Sequence, residues 1–276
     1  MTATTTQIPA TGTKPAATGP VIPVKFRRGI TGVAILVVIL EVIPRVGIVD
    51  QVFLPPVSRV AVQLAHEIVN PAFLMATFTT LLTWFFGLLI AAVIAIPLGL
   101  LLGLSDFTYR VARATIDLIR PIPPIALIPL LVLVMGQTME MKLALVVFAV
   151  LWPILFNTIS GVRDVDPQLM EMARSYQYSR LKTIRRIVLP SAAPFVATGI
   201  RIASAIALIV VVTVELIAGG SSGLGAYIAE ARAIGTDVPK IFAGTLMTGV
   251  LGLVINSAIG AAESRIFGWN ERRASK

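Results

Sequence analysis

Few residues in this sequence are equipped for chemistry. It holds no cysteine and one histidine, His66, which excludes thiolate nucleophiles, disulfides and paired-histidine zinc sites. None of its six lysines follows a glycine, so no Gly-x-x-x-x-Gly-Lys-Ser/Thr loop can cradle nucleotide phosphates, and Gly219-Gly220-Ser221-Ser222-Gly223 reads as a flexible turn. No acid, base and nucleophile cluster together, so an enzyme is not expected. What remains are polar groups inside apolar runs. Arg201 and Glu215 interrupt one such run; the interval is about 21 Å along a helix, so they cannot pair within it. An ionisable group at mid-membrane costs about 2.5–3.5 kcal/mol on insertion scales. Each therefore either lies near an opposite interface and snorkels, or serves a solute path, in which Arg201 would lend positive potential to an anion. Asn157 and Thr158, and Asn256 within the stripe Gly244, Thr248, Gly252, Asn256 and Gly260, carry two similar readings: close helix packing or path lining.

The elements that must hold these groups follow from composition. Of 276 residues, 56% are hydrophobic and 13% charged, against about 45–50% and about 25% in ordinary globular domains. Six apolar stretches are long enough to be read as membrane spans. They are Gly29 to about Val49, Ala72 to Leu104, Pro121 to Met139, Leu143 to Val162, Ser191 to Ala218 and Ile241 to Ala262. The expected architecture is an all-α, polytopic six-helix membrane bundle over residues 25–268. It is flanked by a disordered tail, 1–24, rich in Thr, Pro, Ala and Gly, and by a short tail, 269–276. The first span follows Lys25, Arg27 and Arg28 without a small-residue cleavage site, so an uncleaved span is expected rather than a signal peptide. The third contains Pro121, Pro123, Pro124 and Pro129. Such a broken backbone survives in a membrane only where protein or a water-filled cavity satisfies it, so this segment is expected to be buried in the bundle. A short amphipathic helix is expected over 50–70, with His66 on its surface.

The positive charge of +9 falls unevenly. With the N-terminus inside, the inner tails and loops carry seventeen Lys and Arg and the outer loops five, namely Arg45, Arg59, Lys142, Arg232 and Lys240. Both termini are therefore expected in the cytoplasm, and the basic balance needs no nucleic-acid partner.

The inner segment from Gly161 to Pro190 is the most informative. Asp166 can cap a helix with Pro167 at its first position, and Leu169, Met172, Ala173 and Tyr176 recur at one-face spacing. Ser179 can cap a second helix with Leu181, Ile184 and Val188 as its apolar stripe and Pro190 as its stop. Such a pair either lies on anionic headgroups or docks an apolar helix face into a groove of a soluble partner. A DNA-binding helix-turn-helix tethered at both ends to a bilayer could hardly enter a major groove.

Glu171, Met172, Ala173, Gln177, Ile187, Leu189 and Pro190 resemble the EAA signature of bacterial ABC importer permeases, usually Glu-Ala-Ala, three residues, Gly, nine residues, Ile, one residue, Leu-Pro. Phe53-Leu54-Pro55-Pro56, Pro97-Leu98-Gly99, Arg120-Pro121-Ile122-Pro123-Pro124, Gly161-Val162-Arg163 and Ser222-Gly223-Leu224-Gly225 resemble motifs of the nitrate/sulfonate/taurine branch. The resemblance implies a type I permease in a bacterial inner membrane, homodimeric, with coupling helices between spans four and five. It implies two ATPase chains that bind ATP and Mg, this chain binding no cofactor itself, and an extracytoplasmic solute-binding protein. Glu171, Met172, Ala173, Arg174, Gln177, Ile187, Leu189 and Pro190 would contact the ATPase. The solute would be a small anion such as a sulfonate, taurine or nitrate; the alternative is a vitamin or vitamin precursor. A secondary transporter or channel without ATP is the alternative of another class, but it would call for paired membrane charges or repeated halves, and neither is found. Two positions depart from the signature. Met172 replaces Ala, which an adaptable side chain tolerates. Gln177 replaces Gly, at a cost of about 1–2 kcal/mol if that position is left-handed.

Overall fold

The computed structural model describes residues 24–274 apart from 221 and 236, and side chains from 31 to 267. The expected N-terminal tail lies outside the described residues save for Val24. All described secondary structure is helical. In chain order it comprises α1 (Val24–Arg45), α2 (Val57–Glu67), α3 (Pro71–Leu104), α4 (Asp106–Ile119), α5 (Ile128–Met135), α6 (Met139–Arg163), α7 (Pro167–Ser175), α8 (Arg180–Thr183), α9 (Leu189–Ala218), α10 (Leu224–Ile234) and α11 (Val238–Ala274).

Four helical stretches among the described residues are long and apolar enough to cross a membrane: α3, α6, the run Arg180–Ala218 and Val238–Phe267 of α11. The pair Asp106–Ile119 and Pro124–Met135, bent by 70°, meets the same length and composition only when its two parts are taken together. The expected six are thus met by up to five, and α1 is not among them. The third span also departs from expectation. Its prolines split it into a 3-10 turn, Pro124–Leu127, and the eight-residue α5, because each ring removes a donor that a continuous helix needs. Nor is it buried in this bundle. Leu130, Leu133 and Val134 are 56%, 83% and 72% exposed, since α5 stands at the rim and packs only its inner face against α6 and α9.

The centre of the molecule is formed by α3, α6 and α9. One face of α3 buries Thr80, Thr83, Gly87, Ala91, Ala95 and Gly99 at roughly one-turn intervals. A Cβ on Gly87 would enter Val146, one on Gly99 would enter Thr158 and one on Gly103 would enter Val162. Small residues let the α3 and α6 backbones approach, and close van der Waals contact is what holds helices together where lipid removes the hydrophobic drive. Leu145, Val150, Ile154, Leu155, Val211 and Val214 fill the remaining space.

Two ties mark the ends of the bundle. At the end that carries the Gly161–Pro190 loop, Arg163 donates to Asp106 Oδ1 (2.9 Å) and stacks over Tyr109. At the opposite end Gln137 Nε2 donates to the Ala218 carbonyl (2.6 Å). The bent α4–α5 segment, which starts at the first tie and ends at the second, therefore traverses the bundle despite its break.

Candidate functional site

The inner loop is built by its caps. Asp166 accepts from the Gln168 amide (2.8 Å) and Pro167 opens α7; Ser179 accepts from the Lys182 amide (3.4 Å) and α8 begins. Between them the chain makes a two-bond helix stop: the Tyr178 amide donates to the Ala173 carbonyl and the Gln177 amide to the Arg174 carbonyl, both 2.9 Å. This is a Schellman motif, whose pivotal residue must be left-handed. Gln177 occupies that position with φ 50°, the one described non-glycine residue at positive φ. Ala173 and Ile187 turn inward, while Glu171, Met172, Arg174, Tyr176, Gln177, Leu189 and Pro190 are exposed. Leu169, Met172, Tyr176 and Leu181 thus form an uncovered apolar edge at the inner end, beside Arg174 and Lys182. Lys182 Nζ lies 3.9 Å from the Tyr178 ring centroid.

Pro190 does not stop the second helix, as its spacing led us to expect. From α8 the chain passes through a π turn, Ile184–Val188, directly into α9. The wider π turn lets the chain absorb the proline's missing N–H and bulky ring without breaking. The second half of the inner loop, from Arg180, and the membrane-spanning α9 are therefore one helical run of 39 residues.

The polar residues within spans are placed as follows. Arg201 is half-exposed, with Nε donating to Asn256 Oδ1 (3.3 Å) and Nη1 paired to Glu263 (3.4 Å). Arg201 and Asn256 line a groove of about 400 Å³ between α9 and α11, with Ser204, Thr248 and Gly252. Asn157 Nδ2 and Thr158 Oγ1 donate to carbonyls one turn back, Pro153 (2.8 Å) and Ile154 (2.7 Å). Gly199 seats against Asn157, and Gly99 against Thr158. Glu215 is completely buried, far from Arg201. Gly244 of the α11 stripe packs on Ile228 and Gly252 on Leu208.

Comparison with known proteins decides what this arrangement belongs to. Residues 95–268 match the family described as binding-protein-dependent transport system inner membrane component. The chain belongs to that family. It is a permease component of an ABC importer, not an enzyme, and its relatives include sulfonate, taurine, nitrate and bicarbonate permeases. Among them, the putative aliphatic sulfonates transport permease SsuC of Bacillus subtilis is 28% identical over 88% of either chain. The taurine transport system permease TauC of Escherichia coli is 28% identical over 86% of this chain and 87% of its own. The fold of the present chain is similar to a chain of the MetNI methionine ABC transporter solved in inward-facing conformations, with a TM-score of 0.57, 21% identity, and coverage of 71% of this chain and 96% of that one. Family membership implies an ATP-hydrolysing partner and a solute-binding protein for this permease.

The permease also holds two polar clusters that pattern reading missed. Beside the start of α3, buried Glu67 of α2 accepts from Tyr227 Oη (2.7 Å), Gln63 Nε2 (2.9 Å) and Asn70 Nδ2 (3.1 Å). Burial pushes the Glu67 carboxyl up, but these three donors outweigh it and hold the group below the usual value of 4.5. Burial, then the carboxylate itself, pushes the Tyr227 phenol up. The second cluster surrounds Glu215. Thr80 Oγ1 donates to Glu215 Oε2 (2.8 Å), as does the Gly225 amide (3.0 Å), while Thr80 Oγ1 accepts from the Leu224 amide (2.7 Å). Lys142, 1% exposed, donates to the Ser222 carbonyl (2.5 Å). Thr80 lies in an uncharged run with Thr77, Thr79 and Thr83, and no periodicity separates it from them. Lys142 sits at the edge of a span, where it counts merely as an outer charge.

Proposed function

We propose that two copies of this permease form the alternating-access path of an ATP-driven importer for a small anion in a bacterial inner membrane, with both termini in the cytoplasm. Each copy offers Glu171, Met172, Ala173, Arg174, Gln177, Ile187, Leu189 and Pro190 to one of two ATPase chains, which hold ATP and Mg; this chain holds no cofactor. An extracytoplasmic binding protein delivers the solute. The observation that carries this reading is the uncovered edge of Leu169, Met172, Tyr176 and Leu181 on two capped helices, the second of which runs without interruption into α9. Apolar side chains left open on a capped helix are what a groove in a soluble partner receives.

The second copy is supported by the third span. Irregular backbone at membrane depth is stable only against protein or a water-filled cavity, and the exposed face of α5 supplies neither within one chain. Rocking of the two bundles then alternates access, driven by the partner. A small anion is favoured by the Arg201–Asn256 groove and by sulfonate and taurine permeases among the relatives. Of the path candidates Asn157, Thr158, Arg201, Glu215 and Asn256, Arg201 and Asn256 line one groove, whereas Glu215 is buried away from it and is not kept as a solute contact. The test is copurification. The wild-type permease should retain a nucleotide-binding chain, and Glu171→Arg should weaken that association; uptake that persists after the ATPase is removed would refute the proposal.

A further inference from the structure

Four helices meet at Glu215 in the outer half of the bundle. Thr80 comes from α3, Lys142 from α6, Glu215 from α9, and the Leu224 and Gly225 amides from the start of α10. Together they fasten the turn between α9 and α10. Gly223 has φ 112°, and any Cβ there would strike the Glu215 carboxylate, so the turn is moulded onto that side chain. Glu215 Oε1 is buried with no hydrogen-bond partner among the described residues. Burying a carboxylate carries a desolvation penalty that apolar packing would avoid, and switching elements are the best-attested reason to keep such a group. Ser222, on the same turn, lines an outer cleft of about 830 Å³ with Met75, Thr79, Tyr227 and Lys240.

Glu215 also sits on the helical run that begins at Arg180 in the inner loop. That run carries the loop's position about 52 Å at 1.5 Å per residue. We propose that Glu215, Thr80 and Lys142 are positioning residues that latch the outer turn to α9, so that the turn shifts when an ATPase moves the inner loop. The inference rests on residues 161–190 being the ATPase-docking loop. It assigns Glu215 to the outer gate of the path and not to solute contact.

The test exploits the absence of native cysteine. Ser222→Cys puts the chain's single thiol on the turn, where the residue is exposed and its carbonyl still receives Lys142. The permease and its ATPase are reconstituted in proteoliposomes and labelled with a membrane-impermeant maleimide, without nucleotide and after trapping with ATP and vanadate. The labelling rate should differ several-fold between the two states. Glu215→Ala and Thr80→Val should bring that ratio to one while ATP hydrolysis continues, and Thr80→Ser, which keeps the hydroxyl, should restore it. If Glu215→Ala fails to assemble, the two Thr80 variants decide. An unchanged ratio in Thr80→Val, or a parent ratio of one with ATPase bound and active, overturns the latch and leaves the permease reading standing. Failure of any ATPase to bind overturns the docking loop, and the latch with it.

Discussion

Replacing Gln177 by glycine should stabilise the inner loop. Gln177 holds φ 50° at the pivot of the Schellman motif that ends α7. A side chain there sets Cβ against the following carbonyl at a cost of about 1–2 kcal/mol. Glycine removes that cost but loses about 0.5–1 kcal/mol of additional unfolded-chain entropy. The two bonds that define the turn, Tyr178 N–H to Ala173 and Gln177 N–H to Arg174, are main-chain bonds and survive the change. A net gain of about 0.5–1 kcal/mol remains, and at 1.4 kcal/mol per tenfold this slows local opening about twofold to fivefold. Amide hydrogen exchange over residues 172–180 in the purified complex reads this opening directly, with thermal stability of the complex as a second measure. Gln177→Ala keeps the Cβ and should leave exchange near the wild-type rate. Faster exchange in Gln177→Gly, or equal slowing in both variants, would refute the strain argument.

Gly223→Ala should cost about 3–5 kcal/mol by forcing the buried Glu215 out of its bonds, whereas Gly235→Ala, at φ 73° with open space around it, should cost about 1–2 kcal/mol; complex yield and thermal stability measure the difference. Glu67 sits below its ordinary 4.5, so its bonds to Tyr227, Gln63 and Asn70 stabilise the fold above that value and are lost as pH falls through the depressed one. Thermal stability should drop across that acid window in the wild type, and Glu67→Gln should flatten the drop. Arg201→Gln should reduce uptake of an anionic solute while assembly persists; loss of the complex would assign Arg201 to its Glu263 contact alone.

Much of this protein was legible as a line of residues because a bilayer imposes simple rules. Apolar length marks α3, α6 and α9 closely and the middle of α11, since a crossing helix must satisfy every backbone bond internally. Asp166 and Ser179 mark their helix starts because a short side chain reaches its own neighbouring amides. The departure of Gln177 from glycine is likewise visible in sequence, since only the left-handed pivot of a turn makes that residue type matter. These are local properties, settled by neighbours within one or two turns.

Where several distant segments compete, order along the chain carried no signal. Pro190 reads as a stop, yet a π turn beside it carries the helix on. The proline-rich third span reads as buried, yet within one chain its outer face has nothing to pack on. Glu215 and Thr80 are 135 residues apart, and Lys142 and Ser222 are 80 apart. A hydroxyl in an apolar run looks alike whether it bonds its own helix or a carboxylate on another, as Thr77 and Thr80 respectively do. Sequence by itself therefore determined the four long spans, the helix starts of the inner loop and the family. Only the packing of α3, α6, α9 and α10 decided which polar groups meet, because side chains from separate helices find one another through the shape of the space between them.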